Sequence, residues 1–469
     1  MNNTTSMTQN DSSRLPALVI ATLAAFLTPF MVSGLTIALP VIGQEFKADA
    51  VSLSWVATAY LLATTVFLVP FGRLADIYGR KRILTYGMVI YTLSVGLAAM
   101  SPTMGFLIAA RALEGASTAM IFGTSLAILT DVFPPQERGK VLGINVAAVY
   151  LGLSLGPFIG GSLTQYLGWR SIFLLNIPLA LVILALLVFR LPGEWREAEG
   201  ERFDSAGSAI FGLSLMALIY GLSKLPSILG AGLVTTGIVG IAVFAGWELR
   251  SASPVLNLSL FKNNKPYVLS NAAALINYSA TSAIAFLLSL YLQYIKGFSP
   301  QQAGLVLIAQ PAVMVMFSPI AGRLSDKIEP RVVASTGMAI TTTGLILFAF
   351  LTTTTSLAWI IVGLMLVGFG FALFSSPNMN AIMSSVDRRF YGVASGMVGT
   401  MRLLGQMFSM AIATTIFAVV IGRVQIAQAQ YEAFMTSARL GFAIFAVLCF
   451  LGIGASLTRG RVRQTEEKA

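Results

Sequence analysis

The sequence has no histidine, a single cysteine and few charges. Lys, Arg, Asp and Glu make up 10% of its 469 residues, where a water-soluble domain carries about 25%. Without histidine, and with Cys449 alone in an apolar run, the usual zinc and haem ligand sets cannot be assembled, nor an intrachain disulfide. Nucleophile–base–acid sets built on histidine are equally out of reach, and no nucleotide-binding loop occurs, so neither an enzyme, a metal nor a cofactor is expected. A net charge of +11 raises the question of nucleic acid, but the Lys and Arg residues fall in short gaps between apolar runs rather than on one polar face, and no nucleic-acid partner is expected.

Apolar residues dominate what remains: 56% of the chain is hydrophobic, with a mean hydropathy of +0.81. Lipid is therefore the solvent. Fourteen apolar runs, the first near 16–40 and the last near 437–457, are each long enough to cross a bilayer at about 20 residues per span. Runs of that length are helices rather than barrel strands. The first is about twice the length of a signal-peptide core and is expected to stay as the first helix. Of the 30 Lys and Arg residues, 22 fall on the side of the chain ends, 6 on the other side (Lys47, Arg170, Lys224, Lys296, Arg423 and Arg439), and Arg111 and Arg402 inside spans. This asymmetry predicts a multi-pass cell-membrane protein with both termini cytoplasmic.

A short sequence recurs. Gly72-Arg73-Leu74-Ala75-Asp76 follows the second span and Gly322-Arg323-Leu324-Ser325-Asp326 follows the tenth, each before a basic turn. Parallel repeats are a known architecture of membrane carriers. These start eight spans apart, where two directly joined six-helix repeats would put them six apart. The expected organisation is therefore a six-helix bundle over 1–192, two inserted helices over 193–262, and a second six-helix bundle over 263–469.

Three motifs give the pattern a family. The run Gly72-Arg73-Leu-Ala-Asp76-Ile-Tyr-Gly79-Arg80-Lys81-Arg82 resembles the major facilitator signature between helices 2 and 3. Gly152-x-x-x-Gly156-Pro157-x-x-Gly160-Gly161 in the fifth span is similar to the antiporter motif of that superfamily. Arg111-x-x-Glu114-Gly115 in the fourth resembles its Arg-x-x-Gln-Gly element, with Glu in place of Gln. With fourteen spans, the chain resembles the fourteen-helix drug:proton antiporter group, which includes multidrug and quaternary-ammonium exporters. The resemblance implies an all-α polytopic membrane protein with the major facilitator fold, two six-helix bundles plus two inserted helices.

At the end of helix 2, the Asp76 carboxylate can latch onto a helix N-terminus and onto Arg80 or Arg82, breaking and re-forming as the halves rock; the alternative is a cluster that only fixes orientation. Gly322, Arg323 and Asp326 repeat the element. The glycines of the fifth span form one stripe for close helix approach, and Pro157 removes a backbone donor. Arg111 and Glu114 share one face of the fourth helix. Charges at that depth cost about 2.5–3.5 kcal/mol each on insertion scales, so the pair is either proton-coupling or an architectural ion pair.

Met31, Asn277, Tyr278, Gln310, Asn378 and Arg402 are candidates to line a substrate cavity near the midplane, with interhelical hydrogen bonding as the other role for the polar ones. Two departures from the group bear on substrate. Met31 stands where the group usually carries Asp in helix 1, and helix 13 lacks the acids common in cation exporters. A neutral, anionic, amphipathic or monocationic molecule fits better than a dication. The expected function is proton-linked export of small amphipathic molecules by a protein that works as a monomer; the alternatives are a lipid or glycolipid translocase and an uptake carrier or uniporter.

The charge asymmetry is directly testable. Reporter fusions after Ala469 and within 194–202 should behave as cytoplasmic, and one within 425–437 as external; an external C-terminus would break the even-span reading.

Overall fold

The computed structural model describes residues 3–198, 200–251, 261, 264–386 and 391–460. Fourteen of its helices are long and apolar enough to span a membrane. They are α1 (Arg14–Glu45), α2 (Ala50–Tyr78), α3 (Arg80–Ala99), α4 (Met104–Val132), α5 (Lys140–Leu167), α6 (Arg170–Phe189) and α7 (Ser205–Ser223). The remainder are α8 (Ile228–Glu248), α9 (Lys265–Ile295), α10 (Pro300–Ser325), α11 (Pro330–Ala349), α12 (Leu357–Met383), α13 (Val393–Ile421) and α14 (Gln428–Thr458). All fourteen expected runs are helical. The last begins at Gln428 rather than near 437, because Phe434 and Met435 are buried and extend the packed face past the polar residues that hid it.

Helix ends follow local chemistry. Thr103, Asn264, Ser299 and Ser356 each accept a bond from a first-turn amide of α4, α9, α10 and α12, meeting donors that the helix leaves unpaired. Between α2 and α3 the chain turns at Gly79, whose φ of 119° is open to glycine and strained for other residues. Two helices end in π-turns, α9 over Tyr291–Ile295 and α13 over Phe417–Ile421.

The chain forms two compact units. The first contains Met1–Leu35, Val56–Leu218 and Thr236–Leu256; the second contains Thr36–Trp55, Ile219–Thr235 and Asn257–Ala469. Four of the five unit limits thus run through α1, α2, α7 and α8, and the fifth falls between α8 and α9.

Small residues set the packing inside each unit, since lipid gives no hydrophobic push between helices and close contact must supply the attraction. In the first unit, a Cβ on Gly152 would lie 2.5 Å from the Phe26 carbonyl, and one on Gly160 would lie 2.5 Å from Gly34 Cα. In the second, Gly337 of α11 and Gly370 of α12 approach so closely that a Cβ on either would lie 2.5 Å from the other's carbonyl oxygen. Large apolar side chains such as Ile228, Phe189 and Phe350 are exposed, a surface that suits lipid and would aggregate in water. Only 17% of the apolar window of α8 is buried, which leaves most of that helix uncovered by the described residues.

At the head of α7, Asp204 accepts bonds from the Gly207 amide (2.8 Å), the Trp247 indole (2.8 Å) and the Ser251 hydroxyl (3.2 Å). Partial burial pushes its carboxyl up, but these three donors outweigh that and hold it below the usual carboxylate range. The stabilisation is fully present above about pH 4 and is lost as pH falls through the lowered value. Asp204→Ala should cost about 1 kcal/mol. Thermal unfolding in detergent should show a lowered midpoint at neutral pH and a deficit that narrows below about pH 4; a deficit independent of pH would exclude the carboxylate as its source.

Candidate functional site

The densest charge cluster lies at the α2–α3 turn, within the first unit. Asp76 lies in the last turn of α2 and Arg80 opens α3 four residues later, with only Gly79 between the two helices. Arg80 Nε donates to Asp76 Oδ1 at 2.9 Å, Nη1 donates to Asp131 at the end of α4, and Nη2 donates to Glu197 Oε2 at 2.6 Å. The Arg80 side chain is 6% exposed, so one buried guanidinium holds three carboxylates, and charge-assisted bonds of this kind are about twice as strong as neutral ones. The N-terminus of α3 is met by Glu194, which accepts from the amides of Lys81 (2.8 Å) and Arg82 (3.2 Å). Arg73 pairs with Glu201. Asp76 therefore engages Arg80; Arg82 is exposed and lines a small cleft with Tyr78, Arg196 and Glu201.

The second copy of the motif is built differently. Arg323 and Lys327 are exposed, and Asn380 of α12 donates to Ser325, the counterpart of Ala75. A Cβ on Gly322 would lie 3.1 Å from Ser376 Oγ. Asp326 directly follows α10, where the helix runs on to Lys327, and its side chain is outside the described residues.

Arg111 and Glu114 form a buried pair in α4. Their side chains are each 1% exposed, with Nη1 2.6 Å from Oε2. Arg111 Nε also donates to the Val56 carbonyl of α2 at 3.2 Å, and its guanidinium lies 4.4 Å from the centre of the Tyr60 ring. Gly115 is required because a Cβ there would overlap the Tyr60 carbonyl. Charges buried at membrane depth are costly unless paired, and here each is the other's ionic partner.

The glycine stripe of α5 lies on α1. A Cβ on Gly156 would overlap Ser33 Oγ and lie 2.7 Å from the Phe30 carbonyl. Ser33 in turn donates to Pro29 O at 2.7 Å and to Gly152 O at 3.3 Å. Pro157 sits inside the helix, and Gly161 is buried.

The cavity candidates are dispersed. Met31 is fully buried in the first unit, with its sulfur accepting from Asn176 of α6 at 3.2 Å. In the second unit Asn277 is fully buried and neither amide atom has a partner, while Tyr278 stands edge-on to Phe371 of α12. Gln310 brings its carbonyl to Gly368, where a Cβ would overlap it, and Arg402 is half-buried on α13. Asn378 joins a cluster not foreseen from the sequence. Arg459, at the end of α14, donates to Asn378 Oδ1 at 2.7 Å and to Ser270 Oγ at 3.3 Å. It is fully buried, and burial pushes its guanidinium down to about 10.

The second unit also carries the 36–55 hairpin. Tyr294 and Gln293, in the π-turn of α9, donate to the Pro40 carbonyl (3.2 Å) and the Ile37 carbonyl (2.9 Å). Ser289 donates to Thr36 O at 2.9 Å, Thr414 of α13 donates to Ser54 Oγ at 2.9 Å, and the Ala50 amide donates to Val424 O at 3.0 Å.

Comparison with known proteins agrees with this architecture. The family model described as Major Facilitator Superfamily matches residues 21–410, with a second match over 270–469. A riboflavin transporter, RibZ, of Clostridioides difficile is 30% identical over 439 residues, covering 93% of this chain and 95% of that protein. The multidrug resistance protein Stp of Mycobacterium tuberculosis is 31% identical over 388 residues, covering 81% of this chain and 72% of its own. In structure, a peptide transporter, POT, crystallised with sulfate superposes with a TM-score of 0.70 over 95% of each chain at 15% identity, a likeness of fold alone. Matches of this extent settle the lineage: the chain belongs to the Major Facilitator Superfamily.

Proposed function

We propose that the protein is a secondary active exporter of hydrophobic or amphipathic small molecules in the cell membrane, working by proton antiport and alternating access with both termini in the cytoplasm. The observation that carries the coupling is Glu114, a carboxylate buried deep within a span and set against one guanidinium. Low dielectric favours the neutral acid and Arg111 favours the carboxylate, so these influences oppose each other and a small displacement of α2 against α4 decides which prevails. Val56 and Tyr60 tie Arg111 to α2, which makes the balance depend on helix position. The α2–α3 turn and the α1–α5 contact are the places where such a movement would be gated. Export is supported by relatives named for it, among them a cephamycin export protein of Amycolatopsis lactamdurans and a tetracenomycin C resistance and export protein of Streptomyces glaucescens.

A second reading, a carrier for a flat heteroaromatic molecule of the riboflavin kind, rests on the near full-length likeness to RibZ. Proteoliposomes separate the two: export is expected to move ethidium with a substrate-dependent pH change, and the second reading predicts flavin flux instead.

Two variants test the mechanism. Glu114→Gln keeps the shape but cannot titrate; it should bind substrate and exchange it down its gradient, yet lose uphill, uncoupler-sensitive transport. If it pumps uphill with an unchanged pH dependence, Glu114 is an architectural partner of Arg111. Gly156→Leu should abolish transport while leaving membrane insertion nearly intact, because overpacking against the α1 backbone costs about 1–3 kcal/mol, enough to shift a balanced conformational equilibrium about tenfold. Normal transport by this variant would show that α1 and α5 need not stay in contact.

A further inference from the structure

The segment between α6 and α7 is joined to the α2–α3 turn at almost every residue that matters there. Leu191 O accepts from Lys81 Nζ at 2.5 Å, and Glu194 bridges the Lys81 and Arg82 amides. Trp195 O accepts from the Arg80 amide at 2.9 Å, and the Ala198 amide donates to Asp76 O at 3.0 Å. Glu197 reaches Arg80, and Glu201 reaches Arg73. Leu191 and Ala198 are buried, so two apolar anchors bracket Glu194 and Glu197. Backbone bonds thus fall on both sides of Gly79, at Asp76 and at Arg80. Gly79 itself lies under Glu194: a Cβ there would come within 2.5 Å of the Glu194 carboxyl carbon. The segment leads straight to Asp204, which is fastened to Trp247 and Ser251.

We infer that residues 191–198, together with Glu201, form a strap that positions the gate at the α2–α3 turn. Glu197 supplies the third carboxylate on Arg80, and Glu194 covers the amide end of α3. While the strap is docked, Arg80 stays bonded to Asp76 and Asp131; release of the strap frees the turn to move. This rests on reading that turn as a gate. The strap suits repeated release. The side chains of Glu197 and Glu201 are 64% and 50% exposed, and exposed ion pairs contribute little singly and are screened by salt. Holding therefore comes from many weak bonds made together, and a change that loosens several at once detaches the whole.

The test uses full-length protein in inside-out vesicles, with Cys449→Ser to remove the buried thiol and Tyr78→Cys as reporter. Tyr78 is 52% exposed and lines the cleft it shares with Gly200 and Glu201. The rate of labelling by a membrane-impermeant maleimide should rise about fivefold when Glu194→Gln, Glu197→Gln and Glu201→Gln are combined. High potassium chloride should speed labelling of the parent and leave the triple variant unchanged. Arg73→Glu and Glu201→Arg should each speed labelling, and the two together should restore the slow rate, which a strap held only by packing would not do. In transport of ethidium the triple variant should lose maximal rate at an unchanged half-saturating concentration. A labelling rate indifferent to the triple substitution overturns the strap. Faster labelling with an unchanged maximal rate overturns its control of the gate. Labelling needs no substrate, so failure of the parent to move ethidium would count against the export reading alone.

Discussion

Hydrocarbon offers no partner to a polar group, and every other feature of this structure follows from that constraint. It requires helices, because only they satisfy the backbone within one segment. It removes the hydrophobic drive between helices, so α5 is held to α1 and α11 to α12 by glycines that let backbone meet backbone. It also makes each buried charge a commitment. Arg80 is sheltered by three acids, Arg111 by one acid, a carbonyl and a ring, and Arg459 by an amide and a hydroxyl. The difference in shelter separates their roles. Arg80 sits at the helix ends, where acids from three chain segments converge, whereas Arg111 meets a single acid within its own helix.

That contrast bears on how each cluster answers a movement of the helices around it. At Arg111 and Glu114 the opposition of burial and pairing is local, since both residues belong to one helix and only the contacts to Val56 and Tyr60 reach another. A shift of α2 alters the pair without breaking it. At Arg80 the acids come from α2, α4 and the segment before α7, and no single helix can move without parting one of them. The first arrangement is suited to a graded response and the second to an abrupt one.

Much of the fold was legible in the sequence because hydropathy and the distribution of Lys and Arg are long-range statistics that survive without knowledge of packing. Fourteen runs and the three motifs in α4, α5 and the α2–α3 turn were enough to expect the superfamily. The motif residues were legible too, since Gly79, Arg80 and Gly156 each do locally what their type suggests. What escaped were partners distant in sequence. Glu197 stands 117 positions from Arg80 and Asp131 stands 51, and an acid in a polar loop carries no mark of what it will meet. Arg459 was hidden differently: it precedes a basic tail and reads as one more orienting charge, yet it is completely buried. The limits of the compact units were also invisible, because they cut helices whose hydropathy is continuous.

The π-turns that end α9 and α13 have a bearing on how those helix tips can rearrange. A π-turn carries one residue more than an α-turn, and each residue in an α-helix rotates the next by about 100°. Passing that residue along the helix turns the side chains beyond it without reducing the number of backbone bonds. Gln293 and Tyr294 sit in that stretch of α9 and hold the carbonyls of Ile37 and Pro40. The tips of both helices therefore possess rotational slack that leaves no amide stranded, in a solvent where a stranded amide has nowhere to turn.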